Sequence, residues 1–189
     1  MNNITTQALL SRSSATILLT LMVGVLSVMR AAGSPPVAIS GQDVDGRAVA
    51  VNGKGHYTVV MYTNPDLEDE SRKMTLALDH YRSRSDFDFI RVVDLRGDVP
   101  ASMRSMVRGQ IRKEQVKECL RLKKAGVDAS SENAPIIPDF SGSTLDALGW
   151  DSVYDHVHLV VYDTKGHEVK RLESVTDAKQ MTKVVDSIL

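Results

Sequence analysis

TVVMYTNPDLEDESRKM, residues 58–74, is the stretch whose reading decides the fold. Thr58 to Tyr62 is a continuous apolar, β-rich run without alternation, the pattern of a strand buried on both faces. Asn64-Pro65-Asp66 breaks it, and Leu67, Met74, Leu78 and Tyr81 then recur at helical spacing as one apolar face. Thr63 or Asn64 can cap that helix, and Pro65 suits its first turn. A buried strand delivering the chain onto a helix start is where many α/β proteins keep their chemistry. Here the junction holds Asp66, Glu68, Asp69 and Glu70 and no nucleophile. Carboxylates are stabilised by the positive end of the helix dipole and would repel a thiolate or an anionic substrate.

Working outward, FDFIRVVDL (87–95) reads as a second strand, ended by Gly97-Asp98-Val99-Pro100. Ala101 to Lys124 is helical in pattern, with two stripes out of phase: Met103, Val107 and Ile111, then Val116, Cys119 and Leu120. Gly109 between them allows a kink or two shorter helices. Residues 125–138 lack periodicity and contain two prolines, which reads as a loop. Thr144 to Trp150 fits a short helical turn, with Trp150 a lid over the sheet edge. VHLVVYD (157–163) reads as a buried strand, Thr164-Lys165-Gly166 as a tight turn and HEVKRLE (167–173) as its hairpin partner. The last segment is an amphipathic helix with Met181, Val184, Val185 and Ile188 inward and Thr176 or Ser174 as cap. On the N-terminal side, VAIS (37–40) and RAVAV (47–51) are joined through Asp45-Gly46, a hairpin signal. Two βα units followed by a hairpin and a helix imply a mixed sheet.

With 189 residues, 42% hydrophobic and 25% charged, the chain has the composition of a soluble globular protein with one substantial core. A formal net charge of -1 gives no reason to expect nucleic acid or a membrane surface as partner, and 5% aromatic residues do not make a base-stacking platform. Residues 1–33 differ in kind: Arg12 precedes the uncharged run Ala15–Met29, and small residues follow at Ala31-Ala32-Gly33. This is the pattern of a signal peptide, or of an N-terminal anchor if Arg30 blocks cleavage, with the folded domain at 34–189. The expected location is therefore periplasmic or otherwise exported, with membrane contact only through an uncleaved N-terminal segment. Cys119 is the single cysteine, so the domain has no internal disulfide. On a helix it reads as a small packed hydrophobe; the alternative is a thiol role through a mixed disulfide with a partner.

The element order, and the stretches PPVAISGQDVDGRAVAVNGKGHYTVVMYTNP (35–65) and VHLVVYDTKGHEVKRLE (157–173), resemble the thioredoxin fold, in particular its exported thioredoxin-like and peroxiredoxin-like branch. RVVDLRGDVPASMRSMVRGQIRKE (91–114) is similar in layout to the YtfJ family of periplasmic thioredoxin-fold proteins. The resemblance implies a three-layer α/β/α sandwich with a mixed sheet and an N-terminal β-hairpin extension. Redox members carry Cys-x-x-Cys directly after the central strand; those positions fall here at Leu67 and Glu70. Their cis-proline falls at or beside Val157, and the early helical cysteine of peroxiredoxins has no counterpart. The implied function is a non-redox binding or accessory module for another envelope protein.

Two constellations are candidates for a site. The resemblance brings the loop before the closing hairpin against the first helix, so His156 and His158 would approach Asp66 and Glu70, with Glu68 and Asp69 beside them. Histidine and carboxylate together suit a divalent first-row metal, the alternative to a protein without cofactor. Arg104, Arg108 and Arg112 recur every four residues, with Lys113, Lys117 and Arg121 on a neighbouring face, offset only by Glu114 and Glu118. That strip is the expected interaction surface for a protein partner. Ser141-Gly142-Ser143 with Asp139 forms no G-x-S-x-G elbow, and phosphate-loop and dinucleotide fingerprints are absent. His80 and His167 read as surface residues.

Overall fold

The computed structural model describes residues 38–53, 55–97, 99–128, 134–150 and 155–189. The segment read as signal peptide or anchor, and the Pro35-Pro36 entry, lie outside the described residues. In chain order the elements are β1 (Ser40–Gln42), β2 (Ala48–Ala50), β3 (Tyr57–Thr63), α1 (Glu68–Ala77), β4 (Phe87–Asp94), α2 (Arg104–Lys124), β5 (Ile136–Asp139), α3 (Ser143–Leu148), β6 (Val157–Tyr162), β7 (Glu168–Val175) and α4 (Ala178–Asp186). Strands β1 and β2 form a separate hairpin; the main sheet runs β5-β4-β3-β6-β7. Strand β3 is parallel to β4, β4 to β5, and the β6–β7 hairpin is antiparallel. This is the mixed α/β sheet that the sequence implied.

The path β3–α1–β4–α2–β5 steps one way across the sheet, so right-handed crossovers put α1 and α2 on the same face. Side chains alternate along each strand. Met61 and Thr63 share that face with their register partners Arg91 and Val93. Tyr62 points to the other face, where Trp150 packs tilted against it at 5.7 Å between ring centroids. Residues Thr58 to Thr63 are all buried, as a strand covered on both sides must be. Helix α4 packs against α1, burying Met181 and Val185 with Val184 and Ile188 half-covered.

Several sequence expectations need correction. The loop drawn over 125–138 ends in a strand: Ile136–Asp139 pairs with Arg91–Asp94. All four residues are buried, so there was no alternation to read, and Pro138 is tolerated because β5 is an edge strand. Helix α2 is one helix of 21 residues with no break at Gly109, led by a 3-10 turn at Ala101–Met103. Its two stripes are out of phase because only Gln115 and Leu122 are buried, while Met106, Val116 and Leu120 stay exposed. The first hairpin strand begins three residues later than drawn, at Ser40. Asp177, not Thr176 or Ser174, caps α4 by accepting from Gln180 N–H. Trp150 reaches the edge strand β7 at Arg171, whose guanidinium lies 5.0 Å from its ring centroid, and extends inward over β3 and β6 to Tyr62 and His158.

Asp139 ties the edge strand to the next helix. Its buried carboxylate accepts backbone N–H groups from Gly142 (2.8 Å), Thr144 (2.9 Å) and Leu145 (3.2 Å). Gly142 has φ +82° and lies under the Arg96 side chain, so a side chain there would meet both strain and a clash. Asp139→Ala strands those donors at a buried helix start. It is expected to lower the unfolding free energy by about 2–4 kcal/mol, read from urea denaturation; a loss under about 1 kcal/mol would show that the carboxylate is dispensable.

Candidate functional site

The strand–helix junction is built by a capped turn. Asn64 is extended, at φ −128° and ψ 174°, and its Oδ1 accepts Leu67 N–H at 3.1 Å. Pro65 opens a 3-10 turn, Pro65–Leu67, that leads into α1. This turn swings Leu67 into the core, 9% exposed, and leaves Asp66, Glu68, Asp69 and Glu70 in solvent. Glu68 pairs with Arg72 one turn on, at 2.6 Å, an exposed contact of small energetic weight.

His156 is exposed, and His158 turns to the face opposite α1. There it meets the edge of Trp150, with ring centroids 5.1 Å apart. Among the described residues no three or more His, Cys, Asp or Glu side chains converge closely enough to hold a metal ion. The region behind Trp150 has another property that the sequence did not signal. Tyr62 Oη, Trp150 Nε1 and His158 Nδ1 are buried with no hydrogen-bond partner among the described residues. Burial, then the nearby Asp139 and Asp94 carboxylates, push the Tyr62 phenol above its usual range.

From Thr63, Asn64 and Pro65 a groove of about 810 Å³ opens between α1 and α2. Val93, Leu95 and Ile136 lie along the sheet beneath it, and Leu76, Val107 and Ile111 project from its two walls. Below the α2 wall, Glu118 bridges two arginines, with Arg82 Nη1 2.8 Å from its Oε1 and Arg91 Nη2 in contact with its Oε2. Arg82 also lies over the Phe89 ring, 4.6 Å from its centroid. Next to this trio Arg121 grips Asp79, its Nη2 3.0 Å from Oδ1. Arg82 has 6% and Glu118 10% of its side chain exposed. Burial lowers the pKa of both Arg82 and Arg91, and Glu118 opposes that shift. The visible sign of this network in the sequence is Arg91, an arginine in the middle of the apolar run FDFIRVVDL.

The basic strip divides between two tasks. Arg108 Nη1 donates to Asp43 O at 3.3 Å, and Arg112 to Val44 O at 2.9 Å and Asp45 Oδ1 at 2.7 Å, so both hold the turn of the β1–β2 hairpin. Arg104 and Arg108 stack on Phe140, at 5.3 and 5.2 Å from its centroid. Lys117, paired with Glu114 at 2.6 Å in solvent, and Lys113 stand at the groove. Cys119 is half-buried on α2; burial first, and Glu118 second, raise its thiol pKa, against Arg82, Lys123 and Arg91. At neutral pH it is held as the thiol, which is the unreactive form.

Removing one member of a buried ion network leaves its partners charged and uncompensated. Glu118→Gln is expected to destabilise the protein by about 3 kcal/mol or more, whereas Glu114→Gln should cost at most about 1 kcal/mol. Equal losses in urea titrations would show that the two glutamates are equivalent.

Burial holds His158 below the ordinary histidine pKa of 6.5; Arg171 and His156 act in the same direction, and Glu173 opposes them. The folded state then keeps the imidazole neutral while the unfolded chain takes up the proton. Its contribution to stability is complete above about pH 6.5 and is lost as pH falls toward the folded pKa. The urea midpoint should therefore drop from pH 7.5 to pH 5, and drop less in His158→Phe. Identical drops in both proteins would assign the effect to other groups.

No protein-family model and no curated protein matches the sequence. Solved structures do match its fold. An exposed lipoprotein thioredoxin from Streptococcus pneumoniae superposes with a TM-score of 0.54 at 14% identity, over 80% of this chain and 99% of that one. A thiol:disulfide interchange protein of the thioredoxin family from Chlorobium tepidum gives 0.52 at 16% identity, over 83% and 98%. A secreted disulfide oxidoreductase from Mycobacterium tuberculosis gives 0.51 at 13% identity, over 79% and 96%. The fold is thioredoxin-like.

Proposed function

We propose that this protein is an exported, non-redox member of the thioredoxin-like fold that serves as a binding or accessory module for another envelope protein. One observation carries the reading. The positions where thioredoxin-type oxidoreductases bear their paired cysteines hold Leu67, which is buried, and Glu70, which is exposed. A Leu67 packed in the core cannot exchange disulfides, and the acids around it disfavour a thiolate at that helix start. Cys119 does not replace the missing pair. It sits on α2 with a raised pKa and no second cysteine to resolve a mixed disulfide. Export is supported by the apolar N-terminal pattern and by the secreted or surface-exposed character named for two of the fold's neighbours. Among the described residues no helix is long and apolar enough to cross a membrane.

The measurement is insulin reduction by dithiothreitol, followed by turbidity, with wild type and Cys119→Ser side by side. Both should run at the uncatalysed rate. A rate several-fold above background that disappears in Cys119→Ser would overturn the non-redox reading.

A further inference from the structure

The groove between α1 and α2 combines three properties that together specify an occupant. Its floor carries Val93, Leu95 and Ile136, and Leu76, Val107 and Ile111 stand among the charged residues of its walls. Leu76 is 46% exposed at its rim, while Met106, Val116 and Leu120, at 53%, 51% and 55% exposure, lie on α2 outside the groove lining. Second, the charge that lines it is net positive, with Arg72, Arg91, Lys113, Lys117 and Arg121 against Glu68, Glu114 and Glu118. Helix α2 carries eight arginines and lysines against two glutamates, in a chain whose overall charge is -1. Third, its cations are unequally engaged. Arg91 and Arg121 are bound in the network beneath, but Lys113 has no ion-pair partner among the described residues, and Lys117 and Arg72 hold only exposed pairs at 2.6 Å. Such pairs are worth about 0–1 kcal/mol, so an incoming carboxylate can replace them at little cost.

Shape separates the possible partners. A bilayer surface is flat and leaves a concave groove unfilled, whereas a helix or extended segment can lie in it along its length. We infer that the α1–α2 groove is a docking site for an acidic amphipathic segment of a partner protein, with an apolar ridge on Val93, Leu95 and Ile136 and carboxylates facing Lys113, Lys117 and Arg72. This rests on the binding-module reading and gives the partner's chemistry. Docking on α2 also leaves intact the arginines that face the other way, Arg108 and Arg112, which keep the hairpin in place.

The test is selection from a phage-displayed library of random 16-residue peptides against the full chain, followed by fluorescence anisotropy with the enriched sequences. Expected is enrichment of peptides with apolar residues at i, i+3, i+4 and i+7 flanked by Asp and Glu. Their affinity should fall at least tenfold in Lys113→Glu/Lys117→Glu and in Leu76→Glu, and stay unchanged in Lys170→Glu on the distant β7 strand. Unchanged thermal melting in each variant keeps a loss of binding from being a loss of fold. No enrichment, enrichment without acidic bias, or affinities indifferent to Lys113 and Lys117 would overturn the inference. So would selective binding of the protein to vesicles with 30% phosphatidylglycerol, abolished by the same double substitution, which would assign the surface to a membrane. The insulin assay is independent of all these outcomes, so a failed groove and a failed non-redox reading are told apart.

Discussion

Strand β3 cannot be wet on either face. Six consecutive residues, Thr58 to Thr63, are buried, and a strand of that kind is stable only if the chain supplies cover on both sides and a ladder on both edges. Parallel β4 and antiparallel β6 provide the ladders. Helix α1 begins after a four-residue junction and covers one face through Met74 and its C-cap Leu78, while Trp150 closes the other over Tyr62. The junction at residues 64–67 is therefore constrained by packing before any chemistry is considered. It must turn the chain sharply, and it does so with an Asn cap, a proline and a buried leucine.

That constraint bears on function. In a thioredoxin-like fold the same turn presents its residues at a helix start, where the dipole can activate a thiol. This chain uses the turn for packing and places carboxylates in the solvent beyond it. What remains chemically distinctive lies to one side, in the gap left because α1 packs with α4 while α2 stands off over β4 and β5. The gap is underlain by the Arg82–Glu118–Arg91 trio. Those charges fix the position of α2 through its middle, while Arg108 and Arg112 fix the hairpin to it from the opposite side. Helix α2 is thus a strut between two parts of the domain, which accounts for a long helix with so little apolar burial.

The strip of arginines on α2 has the periodicity of one helix face. Residues 104, 108 and 112 do share a face, as the four-residue spacing said. That face meets Phe140 and the acidic hairpin turn, so these guanidinium groups are engaged within the domain. The lysines one face round, Lys113 and Lys117, are the ones left to solvent. A charge pattern reports which residues are neighbours on a helix; it does not report what stands opposite them.

The order of elements other than β5, the buried central strand, the missing thiol pair and the closing hairpin were all legible in the residues, because each depends on local periodicity, turn chemistry or residue identity. The β5 strand was not, since a four-residue edge strand covered on both faces has neither alternation nor length to distinguish it from a loop. Nor was the burial of Arg82, Arg91 and Glu118, since Arg91 and Glu118 lie 27 residues apart along the chain. The turning of His158 toward Trp150 and the opening between α1 and α2 belong with these. Each depends on which surfaces meet when the sheet is covered, a matter of long-range packing that no window of sequence contains.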